Sequence, residues 1–335
     1  MGRCRRRTSP TADEDQDGAR APPARLNRRL GTMRTLLTGI TGYVGSELIE
    51  PLTAAGHELR GFARNPASAD PRVPTVRGDL DTGEGLEEAL DGVDVAYYLV
   101  HSMEGTADFS GREQRAATRF AAAAAQAGVP RIVYMSVLTP DKPEAEYSDH
   151  VRSRVAVEHA LAAEGADVVV LRASIVIGAR SRSFRFLLRL VERLPVLLLP
   201  PWRSNRTMPV DERDLLRALV LAATAEVRQP LSIYDAVGPD EVTYEQLIHR
   251  IRDHLLVGRP TVPFPASVNL IAAPLAAAVA GEDLGLVHPL MNSLTADLLP
   301  RRPDPREVDL GRPRHHLDAA IEHALRRHEP TDSEG

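Results

Sequence analysis

The chain has 335 residues, 43% of them apolar and 26% charged, with a formal net charge of −5. It is long enough to bury a sizeable core, and its balance points neither to nucleic acid nor to an anionic membrane. The one cysteine, Cys4, excludes a disulfide framework and a cysteine-based zinc site.

Residues 1–32 are expected to lie outside the fold. They carry eight arginines, four acids between positions 13 and 17 and a proline pair, with no apolar period and no hydrophobic stretch of the kind a secretory signal needs. From Arg34 onward, short apolar runs alternate with helical stretches. Residues 35–38 predict a strand, 43–55 a helix ended by Gly56, 58–63 and 74–77 further strands, and 84–90 a short helix. The run 93–100 is apolar almost throughout, as in a parallel strand covered on both faces. An alanine-rich helix over 107–127 stops at Gly128 and Pro130, and a strand at 131–137, a helix at 150–164 and a strand at 167–173 follow. This alternation predicts βαβ units, hence an α/β fold of the Rossmann type with a doubly wound parallel sheet.

After Gly178 the rhythm changes. Helices are expected at 184–194, 211–225, 243–256 and 317–327, a strand at 231–236, and a proline-bounded apolar run at 195–201. The apolar segment 268–280 is too short for a bilayer span, which takes about 20 residues.

The first strand runs directly into Thr38-Gly39-Ile40-Thr41-Gly42-Tyr43-Val44-Gly45, which opens the first helix. At this spacing Gly39 permits a sharp turn, Gly42 leaves room for a pyrophosphate against the backbone, and Gly45 lets helix and strand approach closely. The helix start then offers free N–H groups and a positive dipole end to the anion. Gly39, Thr41, Gly42, Tyr43, Val44 and Gly45 are therefore candidate cofactor-binding residues. The second strand ends in Phe62-Ala63-Arg64-Asn65, with no acid before Asp70 to accept from a ribose 2′-OH. Arg64 suits a 2′-phosphate, which favours NADP(H) over NAD(H). Asp79 and Leu80, after the third strand, stand where the adenine amino group is met. No His-Glu-x-x-His spacing suggests a metal, and no Gly-x-Ser-x-Gly elbow suggests hydrolase chemistry.

These residues resemble the atypical short-chain dehydrogenase/reductases, close to the NmrA-like and epimerase/dehydratase-like NAD(P)H-binding proteins. The resemblance rests on the glycine turn, Arg64, the Gly78-Asp79-Leu80 triplet and the stretch 97–103. It continues through 128–136, 172–178 and Pro209-Val210-Asp211. It implies an NAD(P)-binding domain over 33–178, a substrate-pocket or cap region over 179–300 that completes the fold, and a charged tail at 301–335. It also implies that Val100, His101, Ser102 and Ser136 line the nicotinamide, and that substrate contacts come from the region opened by Arg180. Trp202 reads either as a pocket wall or as a core anchor.

The chemistry departs from the family pattern. Active members carry a tyrosine and, four residues later, a lysine on the helix after the fifth strand; here those positions hold His150 and Arg154. The only lysine is Lys142, so slipping the register does not restore the pair. Three readings stay open. In the first, an oxidoreductase or epimerase-like enzyme uses His150 for proton transfer, Ser136 as a hydrogen-bond donor and Arg154 on the cofactor ribose. In the second, a redox sensor binds NADP(H) without turnover and contacts a protein partner. In the third, a quinone or lipid binds beside the cofactor. The implied ligand is a small molecule and the implied setting cytoplasmic, with neither nucleic acid nor a membrane span.

Overall fold

The computed structural model describes residues 32–100, 109–263, 294–300 and 307–328. The expectations placed on residues 1–31, on His101 and Ser102, and on the apolar segment 268–280 lie outside these.

Seven parallel strands form the central sheet. In chain order the first six are β1 (Met33–Thr38), β2 (His57–Ala63), β3 (Thr75–Arg77), β4 (Val95–Tyr98), β5 (Arg131–Val137) and β6 (Asp167–Ala173). The strand Leu231–Ala236 adds beside β6, and the spatial order is Leu231–Ala236, β6, β5, β4, β1, β2, β3. Strand order reverses between β1 and β4, which opens a crevice at their carboxyl ends. The central strands are buried on both faces: Leu36, Leu37, Val95, Ala96, Val168 and Val169 are fully covered. That burial explains why their sequence runs are apolar instead of alternating.

Helices cover each face. On one, α2 (Leu86–Leu90), α3 (Phe109–Gln126) and α4 (Asp149–Ala162) bring Leu90, Ala117, Phe120, Val157 and Leu161 against Leu36, Ala96, Ile132 and Val170. On the other, α1 (Tyr43–Ala54) and α6 (Glu212–Ala222) pack Leu48, Leu52, Leu215 and Leu219 against Leu37, Val95 and Val169. A third core joins α5 (Arg182–Arg193), α7 (Tyr244–His254) and α8 (Leu317–Arg327) through Phe184, Leu188, Leu247, Ile251 and Ile321. Trp202 packs edge-on against Tyr244 beside that core, with ring centroids 6.0 Å apart, which is the anchor position.

Two elements depart from the sequence reading. The strand expected over 93–100 pairs only as Val95–Tyr98, because the chain leaves the ladder at Leu99 to pass the glycine turn. The apolar run 195–201 contains a short strand, Leu197–Leu199, parallel to Thr261–Pro263.

Candidate functional site

The turn between β1 and α1 is built around close backbone approaches. Gly39 has φ +69°, and a Cβ on it would stand 2.8 Å from the Leu99 carbonyl oxygen. Its own carbonyl accepts from the Gly42 N–H at 2.9 Å, while a Cβ on Gly45 would come within 2.2 Å of the same oxygen. Gly42 is the N-cap of α1, and no side chain caps that end. The turn is thus shaped for an anion against backbone N–H groups.

A cavity of about 360 Å³ opens at this point, on the carboxyl edge of the sheet. Gly39, Thr41 and Gly42 form its floor. Arg64, Asn65 and Ser68, all exposed, form the rim beyond β2, where the Asn65 side-chain amide donates to the Ser68 hydroxyl at 2.9 Å. Asp79, Leu80 and Val100 form the wall, and the Asp79 carboxylate accepts from the Asp81 N–H at 2.8 Å. Arg154 reaches in from α4; it is buried, its guanidinium stands 5.0 Å above the Tyr134 ring, and it donates to the Met135 carbonyl.

The other sequence candidates stand apart from this cavity. Tyr43 turns away, and its hydroxyl donates to Glu212 on α6. Val44 and Gly45 lie within α1, behind the turn. Ser136 is buried and donates to Glu158 at 2.7 Å. His150, the second residue of α4, is half-buried and does not line the cavity.

Sequence reasoning missed a set of buried charges around the inner end. Glu113 lines the cavity from α3, is 8% exposed, and accepts from the Ser153 hydroxyl at 2.7 Å. Glu158 is fully buried and holds Arg172 of β6 through two contacts, at 3.0 and 2.6 Å. The available signal was a helix whose buried face carries acids: Glu158 stands one turn beyond Arg154, among Val155, Val157 and Leu161. Burial pushes the phenols of Tyr98 and Tyr134 well above their ordinary range, and the Arg154 guanidinium works against that rise. Among the described residues no group of three His, Cys, Asp or Glu comes together as a metal site. No described helix is long and apolar enough to cross a membrane.

Residues 39–182 match the family described as NAD(P)H-binding. A ceramide reductase from Caulobacter vibrioides is 26% identical over 229 residues, which cover 67% of this chain and 71% of that protein. A 3-beta-hydroxysteroid dehydrogenase from Mycolicibacterium neoaurum is 34% identical over 113 residues, spanning 30% of this chain and only 31% of the relative. Among solved structures, the Bordetella bronchiseptica enzyme WbmG in complex with NAD superposes with a TM-score of 0.67 at 18% identity, covering 90% of this chain and 95% of that one. UDP-glucose 4-epimerase from Thermotoga maritima gives 0.63 at 16% identity, covering 88% and 98%. At these identities the structural likeness is one of fold.

Proposed function

We propose that this chain, whose residues 39–182 match the family described as NAD(P)H-binding, is an NADP(H)-dependent oxidoreductase of the short-chain dehydrogenase/reductase type. The observation that carries this reading is the cavity itself, which joins the glycine turn to Arg64 at one end and to Arg154 at the other. The glycine positions fit the group: side chains at Gly39 or Gly45 would fill the space the backbone uses to make the turn. The names of two relatives, a ceramide reductase and a hydroxysteroid dehydrogenase, support an apolar, lipid-like carbonyl or alcohol as substrate.

In this reading the bound dinucleotide supplies or accepts the hydride. The N–H groups at the start of α1 hold its diphosphate. Arg64, with Asn65 and Ser68 beside it, receives the 2′-phosphate, and Asp79 meets the adenine amino group. Arg154 holds the nicotinamide-side ribose; His150 lies outside the cavity lining, and its role of exchanging a proton with the substrate oxygen rests on its place four residues before Arg154 on α4. The first acid after β2, Asp70, pairs with Arg72 at 2.7 Å, which leaves the adenosine rim to Arg64. Replacing Arg64 with aspartate is expected to weaken NADPH binding by roughly ten- to a hundredfold, the worth of one or two charge-assisted hydrogen bonds. NADH should be affected far less. Equal losses for the two cofactors, read by fluorescence titration, would show the preference to be misassigned.

His150→Ala is expected to remove most NADPH turnover, by about a hundredfold or more as for loss of a general acid, while cofactor affinity stays within about tenfold. Turnover that survives the change would take the proton-transfer role from His150. Two observations favour the second reading, binding without turnover: the hydroxyl of Ser136 is already donated to Glu158, and Arg154 is seated on Tyr134 and Met135. Tight NADPH binding with no oxidation across a broad panel of carbonyl compounds and quinones would decide for that reading.

A further inference from the structure

Tyr43 follows the glycine turn directly, yet its side chain serves a different part of the molecule. Its hydroxyl donates to Glu212, a carboxylate 3% exposed at the start of α6. The other oxygen of Glu212 accepts from Nη1 of Arg327 at 2.7 Å, and Nη2 of the same guanidinium reaches Glu47 of α1 at 3.1 Å. Arg327 is the last residue of α8. Arg180 contacts the second oxygen of Glu47 at 3.2 Å and the Ser46 hydroxyl at 2.9 Å. The junction is tightly fitted. A Cβ on Gly178 would stand 2.1 Å from the Tyr43 hydroxyl and 2.3 Å from the Glu212 carboxylate.

This arrangement puts two carboxylates beside the first two turns of α1. That helix start is where the glycine turn offers N–H groups to an anion, and its dipole supplies only about half a positive charge. Two unneutralised carboxylates nearby would oppose a diphosphate more strongly than the dipole attracts it. Arg327 touches both of them, and it comes from the far end of the described chain. We propose that Arg327 is a positioning residue for the dinucleotide: the C-terminal helix neutralises Glu212 and Glu47, so that the start of α1 can accept a diphosphate, and Glu212 in turn fixes Tyr43 at the exit of the turn. The proposal rests on the dinucleotide reading of the cavity and adds a residue distant from it in sequence and outside its lining.

The test is a fluorescence titration of NADPH against the full chain, with ADP and adenosine as competitors. Arg327→Ala is expected to weaken NADPH and ADP by roughly three- to tenfold at low ionic strength, and less at about 0.5 M salt, as for a charge effect screened by salt. Adenosine, which carries no phosphate, should be unaffected. Glu212→Gln, which keeps a hydrogen-bonding partner for Tyr43 and removes the charge, is expected to tighten NADPH severalfold. In that background Arg327→Ala should cost less than it does alone. A loss shared equally by adenosine, or one of the same size with and without the Glu212 charge, would mean that α8 acts only by packing, and it overturns the proposal. Should Arg327→Ala not fold, Glu212→Gln decides alone: weakened NADPH binding in that variant overturns the charge argument. Wild-type protein that binds ADP and NADPH no better than adenosine overturns the proposal together with the reading beneath it, whereas wild-type binding with an indifferent Arg327→Ala overturns the proposal only.

Discussion

Glu158→Ala is expected to destabilise the protein by about 3–5 kcal/mol, the cost of removing one partner of a buried ion pair. Glu158 is fully buried on α4 and Arg172 is 6% exposed on β6. The carboxylate accepts from Nε and Nη2 of the guanidinium and also from Ser136. Truncation removes all three contacts at once, two of them made by a buried guanidinium between the sheet and α4 that also donates to the Thr139 hydroxyl at 3.4 Å. A typical domain is stable by about 5–15 kcal/mol, so the loss is a large part of the whole. Urea unfolding followed by circular dichroism would measure it. The pair is not irreplaceable in energy: Glu158→Leu combined with Arg172→Met is expected to recover most of the loss, because well-packed apolar side chains do as well as a buried ion pair. A single alanine variant within about 1 kcal/mol of wild type would show that water reaches the pair and that the burial argument fails.

This network also marks where the sequence could and could not be read. The glycine turn was legible because each of its glycines answers to a backbone constraint that is local in the chain: Gly39, Gly42 and Gly45 meet one another's atoms or those of the neighbouring strand end. The central strands were legible because burial on both faces leaves mostly apolar residues in their runs. The charged residues inside were not. Apolar periodicity alone assigns no charge to a core, and what lets Glu113, Glu158 and Arg172 be buried is partners 40 and 14 residues away. Tyr43 shows the same limit within the motif itself. Its neighbours place it beside a ligand, but Glu212, 169 residues later, takes its hydroxyl. The strand at Leu197–Leu199 was hidden for a related reason: its partner, Thr261–Pro263, lies far along the chain, and three leucines between prolines carry no period of their own.

Gly45→Ala is expected to reduce dinucleotide affinity by roughly a hundredfold or more, since misplacing the turn forfeits two or three charge-assisted hydrogen bonds to the diphosphate. The added methyl would meet the Gly39 carbonyl oxygen at 2.2 Å, its carbon at 2.8 Å and the Ile40 Cα at 3.0 Å. All three are backbone atoms, so no side chain can swing aside to make room. The carbonyl that must move is the one that accepts from the Gly42 N–H, and Gly39 is already pressed against Leu99 at φ +69°. Relief therefore passes straight into the N–H groups at the start of α1. Stability should fall too, by about 1–3 kcal/mol, as for overpacking at a tight helix–strand contact. Gly56→Ala separates the two effects. Gly56 has φ +87° with nothing within 4 Å of an added Cβ, so alanine there strains the backbone by about 1 kcal/mol and should leave NADPH affinity unchanged. If titration finds Gly45→Ala binding as tightly as wild type, the diphosphate does not rest on this turn, and the cofactor assignment falls with it.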